Sequence, residues 1–261
     1  MAVSKVLPEA LSFLPQGYLF GLTMSTPGSS ANLTVQPGIA CDSTGSRMMK
    51  LVAALTKTTG AWAAGSAVGG LDTGAIANNT WYHFFQIERP DTGAVDVCFS
   101  TSVNGPTLGV NIPAAFTSSR RIGAMKTNAS SQWTLFFQLG DEFLWDVPVQ
   151  DIANVTAGTV LVPFALPSIP LGIRVNALLN IGGIAQAGGD GRILIVPGDV
   201  TGVNSPASYS GGAYPTANNQ SWSKVILRTN TIQQVKACGV VGTAAIYMGV
   251  EGWIDTRGRL Y

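Results

Sequence analysis

The sequence predicts an all-β protein: two β-sandwich or jelly-roll-like modules behind a short N-terminal arm. Three observations carry this. Apolar runs are short and are cut throughout by turn residues, with 31 Gly and 14 Pro among 261 residues, which leaves little room for long helices. Inside the runs, apolar and polar residues alternate with the period of two that belongs to strands. The turn signals recur without a fixed period, which argues against a propeller or a solenoid. Hydrophobic residues make up 46% of the chain, enough for a sizeable core. Charged residues are only 11%, against roughly 25% in an ordinary soluble domain, so Ser, Thr, Asn and Gln supply the polarity. Low charge also suits surfaces buried between subunits, whose cores are depleted in charge.

Residues 1–22 read as an arm with a short helical turn near "PEALSFL", Pro8 being acceptable in a first turn. Pro8, Glu9 and Pro15 interrupt any apolar core of a signal peptide, so folding in a reducing cytoplasm is expected. Residues 23–150 form the first module. "RMMKLVAALT" supplies a strand. "WYHFFQIER" and "AVDVCFSTS" form the clearest hairpin. "RRIGAMK" and "WTLFFQL" form another across "TNASSQ", and "DEFLWDV" adds a short strand. "PVQDIANVTAG" (148–158) reads as a linker. Residues 151–261 form the second module, with strands at "TVLVPFALP", "LGIRVNALLNI", "RILIVPG", "SWSKVILRTN", "IQQVKACGV" and "TAAIYMGVEGWIDTRGRLY".

Alternation predicts the cores. Trp81, Phe85, Ile87, Val95, Val97 and Phe99 belong to the first. Val160, Val162, Ile173, Val175, Ile193, Ile195, Val225 and Leu227 belong to the second. In the hairpin, Gln86, Glu88, Asp96 and Ser100 fall on the faces away from the apolar rows. "RPDTG" is good turn chemistry: Pro90 fixes φ, Asp91 bonds nearby backbone and Gly93 accepts positive φ.

The tempting chemistry is thin, and no catalytic or metal-binding residue is assigned. His83 is the only histidine, which excludes His-based metal clusters. It lies in line with an apolar row, near a sheet edge in the simplest reading, and no Gly-x-Ser-x-Gly elbow supports a triad through it. Asp-Thr-Gly occurs at Asp72 and Asp91. Aspartic proteases bring two such carboxylates together to share a proton. The nearness of these copies in the chain, and a tight turn around the second, favour two loop aspartates; a dimer pairing one Asp72 from each chain is the alternative. The glycine-rich "GGIAQAGGDG" lacks the Gly-Lys-Ser/Thr of a phosphate-binding loop. Asp141, Glu142 and Asp146 have no Ca²⁺-loop spacing. Cys41, Cys98 and Cys238 are few, odd in number and far apart, unlike a disulfide framework or a zinc site; Cys98 reads as a small buried hydrophobe. The net charge is +1 and no basic stripe is present, so nucleic acid is not an expected partner. Arg120 and Arg121 are read as surface gatekeepers of a strand. No apolar run approaches the roughly 18 residues of a membrane span.

Binding residues are sought in long polar loops. "TGVNSPASYSGGAYPTANNQ" (201–220) sets Tyr209 and Tyr214 among Ser, Gly and Asn, the mixture of an adaptable recognition surface. The simpler reading is a Gly/Ser-rich loop. Trp62, in "GAWAAGSAVGG", is a second exposed-aromatic candidate.

Five ordered blocks carry a family resemblance: "LPQGYLFGLTMS", "ACDSTGSRMMKLVAALTK", "GAWAAGSAVGGLDTGAIANNTWYHFFQIERPDTGAVDVCFSTS", "RRIGAMKT" and "GDEFLW". From about Leu14 to about Asp151 the chain resembles a β-rich module of tailed-bacteriophage and prophage virion proteins, of the tail-fibre, baseplate and tail-associated kinds. The resemblance implies a non-enzymatic virion component and no cofactor. It implies symmetric association, with a homotrimer expected, and docking on other tail or baseplate proteins through the arm. A host surface receptor or glycan is the expected distal partner. The alternatives are a capsid decoration or head-fibre protein and a depolymerase of surface polysaccharide.

Overall fold

The computed structural model describes residues 16–186, 192–202 and 220–259. The protein is all-β, and no helix occurs among the described residues. The chain divides into two compact units, residues 1–140 with 256–261, and residues 141–255.

The first unit contains β1 (Leu19–Gly21), β2 (Met24–Ser25), β3 (Leu33–Val35), β4 (Gly38–Cys41), β5 (Met48–Leu51), β6 (Leu55–Ala61), β7 (Val68–Leu71), β8 (Trp81–Arg89), β9 (Ala94–Ser100), β10 (Ser118–Lys126) and β11 (Phe136–Leu139). Seven of them form one sheet in the order β10-β8-β9-β7-β6-β3-β2, and β1-β4-β5 form a second. The β8–β9 hairpin is present, closed by the Arg89 carbonyl accepting from Gly93 N at 2.8 Å. Gly93 takes φ 70° there, as the turn requires.

The hairpin differs from its expected form in one respect: β8 is an interior strand buried on both faces, every residue from Trp81 through Glu88. His83, Phe85 and Ile87 lie opposite Ser100, Cys98 and Asp96, while Phe84, Gln86 and Glu88 lie opposite Phe99, Val97 and Val95. The two apolar rows therefore face opposite ways. Phe85, Ile87 and Cys98 pack with Trp62, Ile112 and Phe116. Tyr82, Phe84, Phe99 and Trp133 form an aromatic cluster with ring centroids 5.0–5.8 Å apart. Of the predicted first core only Val95 stays half-buried.

Polar residues caught between these layers need internal partners, because an unpaired buried polar group costs about 1–3 kcal/mol. Gln86 Nε2 donates to the Met49 carbonyl at 3.0 Å, and Arg47 clamps Glu88 at 2.8 Å. Three local expectations also change. "RMMKLVAALT" is two strands, β5 and β6. β10 and the residues after "TNASSQ" meet only at a Thr127–Trp133 bridge, because Trp133 turns into the aromatic cluster. From Gln16 onward the expected arm belongs to the first unit: β1 pairs with β4, and Leu19 and Leu22 are buried.

The second unit contains β12 (Glu142–Ala157), β13 (Val162–Ala165), β14 (Asn176–Ala185), β15 (Ile193–Pro197), β16 (Gln220–Arg228), β17 (Gln234–Gly239) and β18 (Ala244–Ile254). Its strands pair as β12-β18-β14-β16 and as β13-β17-β15. The stretch expected as a linker is the second half of β12, paired through three irregularities with β18. Val175, Ile193 and Ile195 are buried as predicted, and Ile173, Val225 and Leu227 are half-buried. Val160 and Val162 are exposed instead, at 74% and 38%. Val160 precedes the edge strand β13 and Val162 opens it; Phe164, Leu166 and Ile169 fill the core there.

Candidate functional site

The sequence candidates separate cleanly. Tyr209 and Tyr214 lie outside the described residues. Trp62 is not an exposed aromatic: it is 8% accessible, and its indole N–H donates to the Val97 carbonyl at 3.1 Å. Phe116 meets its ring edge-on at 5.3 Å, and Lys57 Nζ lies 5.2 Å from its centroid. The ring is drawn inward because it closes the core beneath "AAGSAVGG" (63–70), whose carbonyls at Ala63 and Gly65 accept from Lys57 Nζ at 2.8 Å each.

His83 is buried in β8, between Ala124 of β10 and Ser100 of β9, and so is not at a sheet edge. Asp72 is buried and holds two loops: Oδ1 accepts from Thr73 N at 2.8 Å and Oδ2 from Thr107 N at 2.7 Å. Asp91 points to solvent at the hairpin tip, where the Arg89 guanidinium grips it and lowers its pKa. These two carboxylates serve separate structural tasks. Among the described residues, no group of three or more His, Cys, Asp or Glu side chains is placed to hold a metal ion.

Arg120, expected on the surface, is 5% accessible. Its guanidinium donates Nη1 to the Gln16 carbonyl at 2.6 Å and Nη2 to the Arg257 carbonyl at 2.9 Å. It lines a recess of about 200 Å³ with Ser43, Asn104, Arg121 and Gly258. Burial lowers its pKa, and the charges of Arg121, Arg257 and Arg259 add to that. Two of its donors are spent on fastening chain segments, so its first role is in the fold.

The surface with binding character lies on the second unit. Side chains alternate along β16, and Trp222, Lys224, Ile226 and Arg228 all project to the solvent side. Trp222 is 48% accessible. Opposite it on β14 stands Gly182, and opposite Gly182 on β18 stands Tyr247. A Cβ on Gly182 would lie 2.6 Å from Trp222 Cε3 and Cζ3. The six-membered ring of the indole therefore rests on bare backbone. The Tyr247 ring lies 5.9 Å away, tilted by 52°. The next row carries Asn180 opposite Lys224, and Lys224 Nζ reaches Glu251 Oε1 at 2.7 Å. Beyond it Glu142, Leu144, Leu178 and Ile226 line a shallow depression of about 400 Å³. An exposed tryptophan beside a half-buried tyrosine, hydrogen-bonding groups and a depression share one sheet face.

No family model, curated protein or solved structure matches the chain.

The sequence does carry a signal for this face. Once Val225 and Leu227 are assigned inward, alternation in "SWSKVILR" sends Trp222 outward. The pairing with Gly182 is not legible there, because register across strands distant in the chain is a tertiary property.

Proposed function

We propose that the protein is a non-enzymatic attachment component of a tailed-phage particle, of the tail-fibre or baseplate kind, and that the unit 141–255 meets the host surface. The observation that carries this reading is the half-exposed Trp222 beside Tyr247 on a solvent-facing sheet. Aromatic anchors dominate recognition surfaces. The five sequence blocks within 14–145 support the virion context, and the low charge suits burial between subunits. Association into a homotrimer, with docking on other tail proteins, would give avidity to weak single sites.

The test is electron microscopy of particles decorated with gold-conjugated antibody against the purified chain. Gold at the distal tail is the expected result. Gold spread over the capsid overturns the reading in favour of a decoration or head-fibre protein. Release of soluble fragments from host polysaccharide by the purified chain overturns its non-enzymatic part.

A further inference from the structure

We infer that the Trp222–Tyr247 face binds saccharide, with one face of a sugar ring laid on the outer side of the Trp222 indole. The inference rests on the attachment reading and names the ligand class of that site.

The inner side of the indole is already occupied. It lies against Gly182, where a Cβ would be only 2.6 Å from two ring carbons. With that side covered and the residue 48% accessible, the exposed area is the opposite ring face. Tyr247, tilted by 52°, makes a shallow wedge with it. A ring seated this way loses little freedom on binding. The negative π face attracts the weakly positive C–H groups on the apolar side of a sugar ring.

The neighbouring row selects among occupants. Asn180 offers both a donor and an acceptor, and the Lys224–Glu251 pair offers more of each. Sugar hydroxyls need both kinds. A protein partner needs about 800 Å² on each side around an apolar centre. Here a charged pair stands between the aromatic row and the apolar depression, so the apolar area is not continuous. Stacked nucleobases need a cationic track for their phosphates, and the Lys224 charge is balanced by Glu251.

The test titrates the full chain with maltohexaose, cellohexaose and chitohexaose and follows acrylamide quenching of tryptophan. Of the six tryptophans only Trp222 is more than a tenth exposed, so quenching reports on this site. At least one hexasaccharide is expected to protect Trp222, and binding is expected to vanish in Trp222→Ala, measured by calorimetry. Gly182→Ala, which lifts the ring from its seat, is expected to weaken binding about tenfold, 1.4 kcal/mol, with the far-ultraviolet spectrum unchanged. No protection by any of the three sugars overturns the inference. So does binding that survives Trp222→Ala, or protection of Trp222 that rises with protein concentration alone, which assigns the face to a second copy. Host-cell binding by a chain that none of the three sugars protects overturns the saccharide site and leaves the attachment reading standing. Sugar binding by a chain that binds no host cell does the reverse.

Discussion

Lys57 Nζ lies 2.7 Å from Asp96 Oδ1, and both side chains are buried. Each also serves the loop after β6. Lys57 donates to the Ala63 and Gly65 carbonyls, and Asp96 Oδ2 accepts from Gly65 N at 2.8 Å. The pair is thus the inner fastening of the segment that carries Trp62. Breaking one half of a buried pair strands the other charge, so Lys57→Met should cost about 3–5 kcal/mol in urea unfolding. The double variant Lys57→Met/Asp96→Asn should be more stable than Lys57→Met alone, because the introduced amide is neutral and its oxygen still accepts from Gly65 N. Equal stabilities of the single and double variants would show that the charge is not what makes the loss large.

Arg120 fastens two chain segments through the Gln16 and Arg257 carbonyls. A lysine cannot reproduce the fork of a guanidinium. Hydrogen bonds to charged groups contribute about 1.5–3 kcal/mol each, so Arg120→Lys should lower stability by roughly that amount for the bond it loses. Chemical denaturation measures it. Native-state hydrogen exchange should show faster exchange at residues 256–259 first.

All three thiols are buried, and burial raises the pKa of each. The thiolate is the reactive form, so the native protein should be inert to an aromatic disulfide reagent at neutral pH. Labelling should appear only with unfolding, and Cys98, in the core beside Trp62, should be among the most protected. Rapid labelling of the native protein would contradict the packing described for β9.

The Asp199 carboxyl should titrate below the usual aspartate range. Its hydrogen bond from Arg174 lowers the pKa, with the Arg174, Arg228 and Lys236 charges assisting against desolvation. The folded pKa lies below the unfolded one. The small stabilisation is therefore present above the unfolded pKa and is lost as pH falls through the folded value. Carbon-detected NMR titration checks this, and Arg174→Gln should move the midpoint upward.

The fold class is legible in the sequence because it depends on local signals: alternation, turn chemistry and the scarcity of uninterrupted apolar runs. The hairpin of β8 and β9 is readable for the same reason, since its strands are joined by a five-residue turn signal. What alternation cannot supply is the number of layers. A strand with polar residues on one face reads as half-solvated, yet Gln86, Glu88 and Asp96 are buried with partners from β5 and β6 among others. Those partners lie far away in the chain. Trp62 escapes a local reading for the same cause, because small residues around it look like a loop until Lys57 draws that loop inward. Of the site, the outward phase of Trp222 is in the sequence, but the glycine beneath it is not identifiable as such. Tyr209 and Tyr214 stand outside the described residues.

The second unit begins and ends at neighbouring points: Asp255 N donates to the Asp141 carbonyl at 2.9 Å, and residues 256–259 then return to the first unit. In the language of gene architecture, 141–255 is a cassette inserted into a host domain. A module whose two ends emerge together can be exchanged for another without stretching the chain that receives it. Recombination at the codons around 140 and 256 would exchange this unit without lengthening the path of the chain that carries it.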